Sequence, residues 1–448
     1  MLRRLAVFAG AFTLDAARLV GAAGGIDAGL VADALLGLVN KSMVQTERGE
    51  PLRYRLLFAV REYAAESLAD AGEAEDAFHR HGEAMAELAT QALAAAPATD
   101  WVPRYLPDYG DLQAAFDRAS SRGDVEVAAA VGDLLWRLDD HRGVLAPAAR
   151  RSHAAHALLR KASPLARARL WNCVATWTVA ADAAVPVLEA ARLRAEAWRD
   201  VGDRSQYYWA LSRLAAAIVR TGDLLAAERV VDEMQAIEDS AWASRRPGHV
   251  RWMRSMLNLY KGDATALESS ARLEAEAAPP QRGLVMAKLN LTKAALLAGD
   301  REKAVALAEE AVQAASALNR RIDLGLAFVD LCAAHSMDGN ISFALRAGQR
   351  ALPMLIENEY SGFLFDLVSL LATRRGDHRR AAILSGAADA WYARVRMCRT
   401  PIDARWAELV QMEVDRRLPP SSSTTLRAQG GQLPLEEAEL LCKQLLEL

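Results

Sequence analysis

The chain has 448 residues, enough for two or three domains of ordinary size. Its 54 Lys and Arg against 57 Asp and Glu leave a formal charge of −3, so it lacks the basic excess on which general nucleic-acid affinity draws. With 52% hydrophobic residues, much of it alanine, it suits close-packed helices in a soluble all-α protein. Cys173, Cys332, Cys398 and Cys442 lie far apart with no C-x-x-C pair, which points away from a disulfide framework or zinc ribbon and towards a reducing cytoplasm. The start MLRRLAVFAGAF has too short an apolar run for a signal sequence or membrane span, and no membrane partner is expected.

In chain order, residues 1–90 form the first predicted domain. Short helices around Leu2–Ala9, Leu14–Val20 and Leu30–Leu38 precede a strand ending at Val44. A turn through Gly49 and Pro51 comes next, then a strand over Arg53–Leu57 and a helix that Gly72 ends. Three helices and then a β-hairpin is the winged-helix plan. Residues 91–200 read as degenerate first helical repeats.

Residues 201–418 read as an array. A Gly-Asp pair returns at Gly222-Asp223, Gly262-Asp263, Gly299-Asp300 and Gly376-Asp377, with Gly339-Asn340 in the remaining slot, at intervals alternating between 40 and 37 residues. Glycine closes one helix in left-handed backbone, and Asp or Asn caps the next. A small residue stands five positions after the glycine: Ala128 after Gly123, then Ala227, Ala304, Ala344 and Ala381, with Leu267 as the exception. Ala304, Leu307, Ala308, Ala311, Val312 and Ala315 make an apolar stripe that needs a neighbouring helix to cover it. Residues 419–448 read as a linker, PPSSSTTLRAQGG, and then an amphipathic helix over Leu435–Leu446 that caps the array.

These units resemble the tetratricopeptide repeat, though they are longer than its consensus of about 34 residues, and Ala308 stands where that consensus usually has an aromatic. The N-terminal segment resembles the winged helix of bacterial signal-transduction ATPases with numerous domains. The resemblance rests on Arg3–Ala17, Leu38–Val44, Arg53–Glu73, Phe78–Ala89 and Asp111–Ala119, with Asp111 where Asn is usual, and on Arg380–Trp391 and Leu433–Leu446 near the far end. In that family a P-loop ATPase precedes the winged helix and repeats come after it. No G-x-x-x-x-G-K-[ST] occurs here, so no nucleotide cofactor is expected, and the chain reads as the rear half of a larger regulator.

Catalysis has no candidate: there is no nucleophile elbow, no H-E-x-x-H and no acid and base paired by spacing. His79 and His81 point to different sides of a helix. His153 and His156 share a face without Cys or acid within a turn, so no metal site is expected either. A solenoid binds through its inner face, and Trp and Tyr serve well there. The candidate groove for an effector, acidic peptide or small anion is therefore Trp171, Trp177, Tyr207, Tyr208, Trp209 and Trp252, with Arg213 and Arg220 on one helical face. The competing reading is that most of these rings are interhelical core.

The predicted recognition helix, Ile26 to Asn40, offers Asp27, Asp33 and apolar residues, with Asn40 the one base-reading side chain. DNA binding by this chain is accordingly not expected. The function read from the sequence is a non-catalytic sensor and protein-interaction module of an ATPase-type transcriptional regulator. Its expected partner is a P-loop ATPase domain in cis or trans, with a small effector or peptide on the repeats. The alternatives are a free-standing repeat scaffold and DNA binding by the winged helix.

Overall fold

The computed structural model describes residues 1–22, 27–95, 101–143, 146–175, 185–238, 249–277, 282–318 and 320–447. The chain divides into two compact units, one made of residues 1–141 and 150–176 and the other of residues 142–149 and 177–448.

The first unit begins α1 (Leu2–Leu5), β1 (Phe12–Thr13), α2 (Leu14–Gly21), α3 (Ala28–Asn40), β2 (Val44–Glu47), β3 (Arg53–Leu56) and α4 (Phe58–Asp70). The hairpin expected from the sequence is present, with Val44 opposite Leu56 and Glu47 opposite Arg53. A third strand, not foreseen, joins it: Phe12 and Thr13 pair with Tyr54 and Arg53, giving the order β1-β3-β2. Two residues are too few to show an alternating pattern, so β1 exists only through its partner. Val31 and Leu35 turn α3 onto the core, beside Phe8, Phe12, Ala17 and Val20. The unit continues with α5 (Ala74–Ala95), α6 (Trp101–Tyr105), α7 (Tyr109–Arg122), α8 (Val125–Arg142), α9 (Ala146–Leu158) and α10 (Pro164–Val174).

The second unit is a run of helical hairpins: α11 (Val187–Val201), α12 (Arg204–Thr221), α13 (Leu224–Ile237), α14 (His249–Lys261), α15 (Ala264–Ala277), α16 (Arg282–Ala298), α17 (Arg301–Ala317), α18 (Arg321–Asp338), α19 (Ile341–Ile356), α20 (Gly362–Arg374) and α21 (His378–Val395). The five predicted turn glycines all take left-handed backbone, with φ from +72° to +87°. Asp223, Asp263, Asp300 and Asp377 accept from the backbone N–H three residues on, at 2.9–3.1 Å. Asn340 departs from the expectation. Its amide donates to Asp338 at 2.5 Å and its side chain caps nothing. Gly202-Asp203, missed as a hairpin turn, repeats the device, with Asp203 accepting from Gln206 N–H at 3.0 Å. Ala227, Ala304, Ala344 and Ala381 are completely buried, as is Leu267 where the pattern breaks.

Residues 419–431 correct the linker expectation. They form α23 (Pro420–Gly431), between α22 (Pro401–Arg417) and α24 (Leu435–Glu447). Pro420 fits the first helical turn, where its missing N–H costs nothing, and Thr424 and Thr425 return their hydroxyls to the carbonyls four residues back. The glycines serve contact, not flexibility. A Cβ on Gly430 would lie 1.7 Å from the Ile383 carbonyl oxygen, and one on Gly386 would lie 2.0 Å from that of Arg427. α21 and α23 therefore pack backbone to backbone. α24 lies on α19, α20 and α21 through Ala438, Cys442, Leu445 and Leu446.

Candidate functional site

In the winged helix, Asp27 caps α3 by accepting from Gly29 N–H at 2.6 Å; Ile26, the expected start of the recognition helix, lies outside the described residues. With Val31 and Leu35 inward, α3 exposes Leu30 (58%), Asp33, Leu36 (59%) and Asn40. α4 adds Phe58 (72% exposed) and Tyr63 (66%). Of the arginines on the hairpin, Arg53 turns inward to Asp108 and Arg55 pairs with Glu47 at 2.5 Å. Lys41 and Arg48 stay exposed.

Buried charges tie this domain to the helices behind it within the first unit. Arg53 donates twice to Asp108, both at 2.7 Å, and once to the Ala11 carbonyl at 3.1 Å. The hydrogen bonds to Asp108 raise the Arg53 guanidinium above its ordinary value, so it stays charged. Asp111 on α7 accepts from the backbone N–H groups of Ala9 (2.7 Å) and Gly10 (3.1 Å), and its Oδ1 lies 3.0 Å from Nε2 of the fully buried His81. Arg3 and Arg4 converge on Glu73 and hold its carboxyl down to about 2.

The candidate groove residues fall in both units and, for Trp177, outside the described residues. Trp171 is buried in the first unit. Tyr208 is completely buried and Trp209 is 7% exposed, with Tyr208 donating to Glu238 at 3.1 Å. Both belong to the core of the second unit, as the competing reading had it. Tyr207 donates to Glu233 at 2.6 Å, and Arg213 is half-buried. Arg220 and Trp252 are brought together, on the wall of a cavity of about 170 Å³ inside the second unit.

That cavity is walled by the first helix of each successive hairpin, α12, α14, α16, α18 and α20, and on its remaining side by α22 with the segment leading into it. Cys398 N–H donates to the Arg220 carbonyl at 2.7 Å, seating this segment at the turn of Gly222. The lining keeps a register of 37 residues: Trp252, Leu289, Leu326 and Phe363 form one ladder, and Met256, Lys293, Asp330 and Leu367 another. Lys293 Nζ lies 2.5 Å from Asp330 Oδ2. Thr400 and Asp403 form a reciprocal cap at the start of α22, the hydroxyl donating to Asp403 at 2.7 Å and accepting from its N–H at 3.2 Å. Burial raises Asp330, Asp403 and Tyr260 above their ordinary values. Behind Asn290 on the wall, Glu274 is 2% exposed and accepts from Asn290 (3.0 Å) and Ser255 (3.1 Å). Burial pushes its carboxyl up to about 7.

Lys293, Asp330 and Asp403 escaped the sequence reading, which favoured aromatic density. The signal for the first two was the repeat register itself, since residues one period apart occupy equivalent positions on neighbouring first helices. Asp403 carried no such signal, because α22 lies outside the repeats. Among the described residues no three His, Cys, Asp or Glu converge as a metal site, and no helix is long and apolar enough to cross a membrane.

Residues 1–69 match the family model of the winged helix-turn-helix domain. A Mycobacterium tuberculosis protein named as an HTH-type transcriptional regulator is 39% identical over 133 residues, covering 29% of this chain and 15% of that protein; its Mycobacterium bovis counterpart matches equally. An uncharacterized protein of M. tuberculosis is 43% identical over 86 residues, 18% of this chain and 21% of that one. The chain thus spans about a fifth or less of the length of these relatives. Among solved structures, a signal transduction ATPase with numerous domains with a tetratricopeptide repeat sensor, from Pyrococcus horikoshii, aligns with 98% of this chain and 64% of its own at 15% identity and a TM-score of 0.47. Residues 1–69 are therefore a winged helix-turn-helix domain, with a helical array after it.

Proposed function

We propose that this chain is a non-catalytic sensor and protein-interaction module of an ATPase-type transcriptional regulator. Occupancy of the repeats by an effector or partner is relayed to a winged helix that docks on a P-loop ATPase domain, in cis or in trans. In this reading residues 1–90 are the docking domain, 91–200 the first helical repeats, 201–418 the sensor array and 419–448 its closing segment. The observation that carries the reading is the exposed side of α3. Where a base-reading helix presents several Arg, Lys, Asn or Gln, this one presents Leu30, Asp33 and Leu36, with Asn40 at its end as the one such side chain, a composition that protein contact satisfies better than a phosphate-lined groove does. The clamps at Asp108 and Asp111 support a relay, because they tie the strands of the wing to the helices behind it.

The test is calorimetric titration of the full chain with a P-loop ATPase domain from a regulator of the resembled family, with ATP turnover as a second readout. Binding that Leu36→Asp and Phe58→Asp each weaken at least about tenfold supports docking through the exposed apolar residues of α3 and α4. Absence of both binding and any change in turnover removes the reading.

One observation favours a second reading, DNA contact by the winged helix: its family model, and a relative named for transcriptional regulation. Exposed Lys41 and Arg48 would then touch phosphates without reading bases. Retention on duplex DNA that falls steeply with salt and is lost in Lys41→Ala/Arg48→Ala would establish it.

A further inference from the structure

The cavity of the second unit, about 170 Å³, exceeds the engineered apolar cavity of about 150 Å³ that admits benzene. It has room for a small ring-bearing molecule. Its charges are not evenly matched. Lys293 and Asp330 close on each other at 2.5 Å, and Arg220 has a partner of its own. Asp403 accepts from the Thr400 hydroxyl; among the described residues no cation stands within ion-pair distance of it, and Lys293 and Arg399 act on its carboxyl only from farther away. Burying a carboxylate without a directly paired cation is costly, and burial raises its carboxyl despite Lys293 and Arg399 nearby. Trp252, Tyr260, Tyr360, Phe363 and Trp406 line the same space, and aromatic faces attract ammonium groups.

We propose that this cavity binds a small organic cation, an amine or quaternary ammonium on an aromatic or apolar body, with Asp403 as its counter-ion and the aromatic side chains as its walls. The proposal rests on the reading that the repeats hold an effector, and it narrows that effector to a charge class. Because α22 carries Asp403 and Trp406 while α14 carries Trp252 and Tyr260, an occupant holds the returning segment against the array. An anion gains less here. It would have to separate Lys293 from Asp330 and would leave Asp403 uncompensated.

The test is titration of the full chain with phenethylamine and with hydrocinnamate, which carries a carboxylate on the same skeleton. The expected result is saturable binding of phenethylamine, with hydrocinnamate weaker by at least about tenfold. Asp403→Asn, which keeps the Thr400 cap, should weaken the amine by a similar factor without lowering the melting temperature. Val329→Phe, which fills the cavity without altering a charge, should abolish binding. Hydrocinnamate binding as tightly as the amine overturns the charge assignment and leaves the effector reading standing. Amine binding that survives both substitutions, or the absence of binding by either compound, overturns the proposed site, whereas the docking titration alone decides the sensor reading.

Discussion

Two kinds of contact are best seen in different units, although buried and part-buried ion pairs such as Arg320–Asp323 and Arg399–Asp366 occur in the second as well. In the first, the winged helix is joined to the helices behind it by buried charge: Arg53 on Asp108, and Asp111 on two backbone amides and His81. In the second, neighbouring helices approach through alanines and glycines, with Ala304, Ala308, Ala311 and Ala315 completely buried on α17 and α21 lying directly on α23. Small-residue packing is tolerant of sequence and repeats easily, since each interface requires only shape. A buried charge requires a particular partner, so it fixes one arrangement and transmits a displacement.

The comparison can be broken most severely at Gly430. Gly430→Val places a side chain where the Ile383 carbonyl oxygen already sits, and the expected loss exceeds about 5 kcal/mol. Proteolysis and hydrogen exchange should show α21 and α23 parting while residues 1–69 keep their protection. If protection of the second unit is unchanged, backbone approach is not what holds its end.

The matching test in the first unit is Asp111→Ala, which leaves the partly buried amides of Ala9 and Gly10 and the buried His81 without their shared acceptor. The expected cost is about 3–4 kcal/mol, read as a drop in the denaturant midpoint of the first unit. A cost below about 1 kcal/mol would mean that apolar packing, not charge, joins the winged helix to α7.

Glu274 sharpens the contrast from the other side, being a buried carboxyl of the second unit whose hydrogen-bond partners, Asn290 and Ser255, are both neutral. Its folded value of about 7 lies above the ordinary 4.5, so the folded state holds the proton more tightly than the unfolded one. The stability it contributes is complete below pH 4.5 and is lost as pH rises through 7. Glu274→Gln should therefore match the wild type at pH 4 and exceed it by up to roughly 3 kcal/mol at pH 8. A difference independent of pH would show that Glu274 is not the titrating group.

Much of this was legible in the amino-acid order. The recurrence of Gly-Asp located the hairpin turns, and the residue five positions on located the buried contact in each, because both properties act within a turn or two of helix. Asn340 shows the limit of that legibility. It occupies a capping slot, yet Asp338, two residues back, takes its amide. The Pro-Ser-Thr stretch before α24 was misread for a related reason: its residues favour turns when nothing packs on them, but Gly386 on α21 leaves room for a helix there. Aromatic density did not separate the two roles: Tyr208 is buried and Trp209 nearly so, while Trp252 of the same stretch lines the cavity.

By itself the sequence determined the periodicity, the turn positions, the small-residue faces and the winged-helix plan, all of which depend on backbone geometry and neighbours a few residues apart. Tertiary structure decided which charges meet. Arg53 reaches Asp108 across 55 residues and Lys293 reaches Asp330 across 37. Asp403 faces a cavity only because α22 turns back onto the array. Coulombic and hydrogen-bond partners are chosen by distance in space, and the enclosure that strengthens them exists only once the helices have packed.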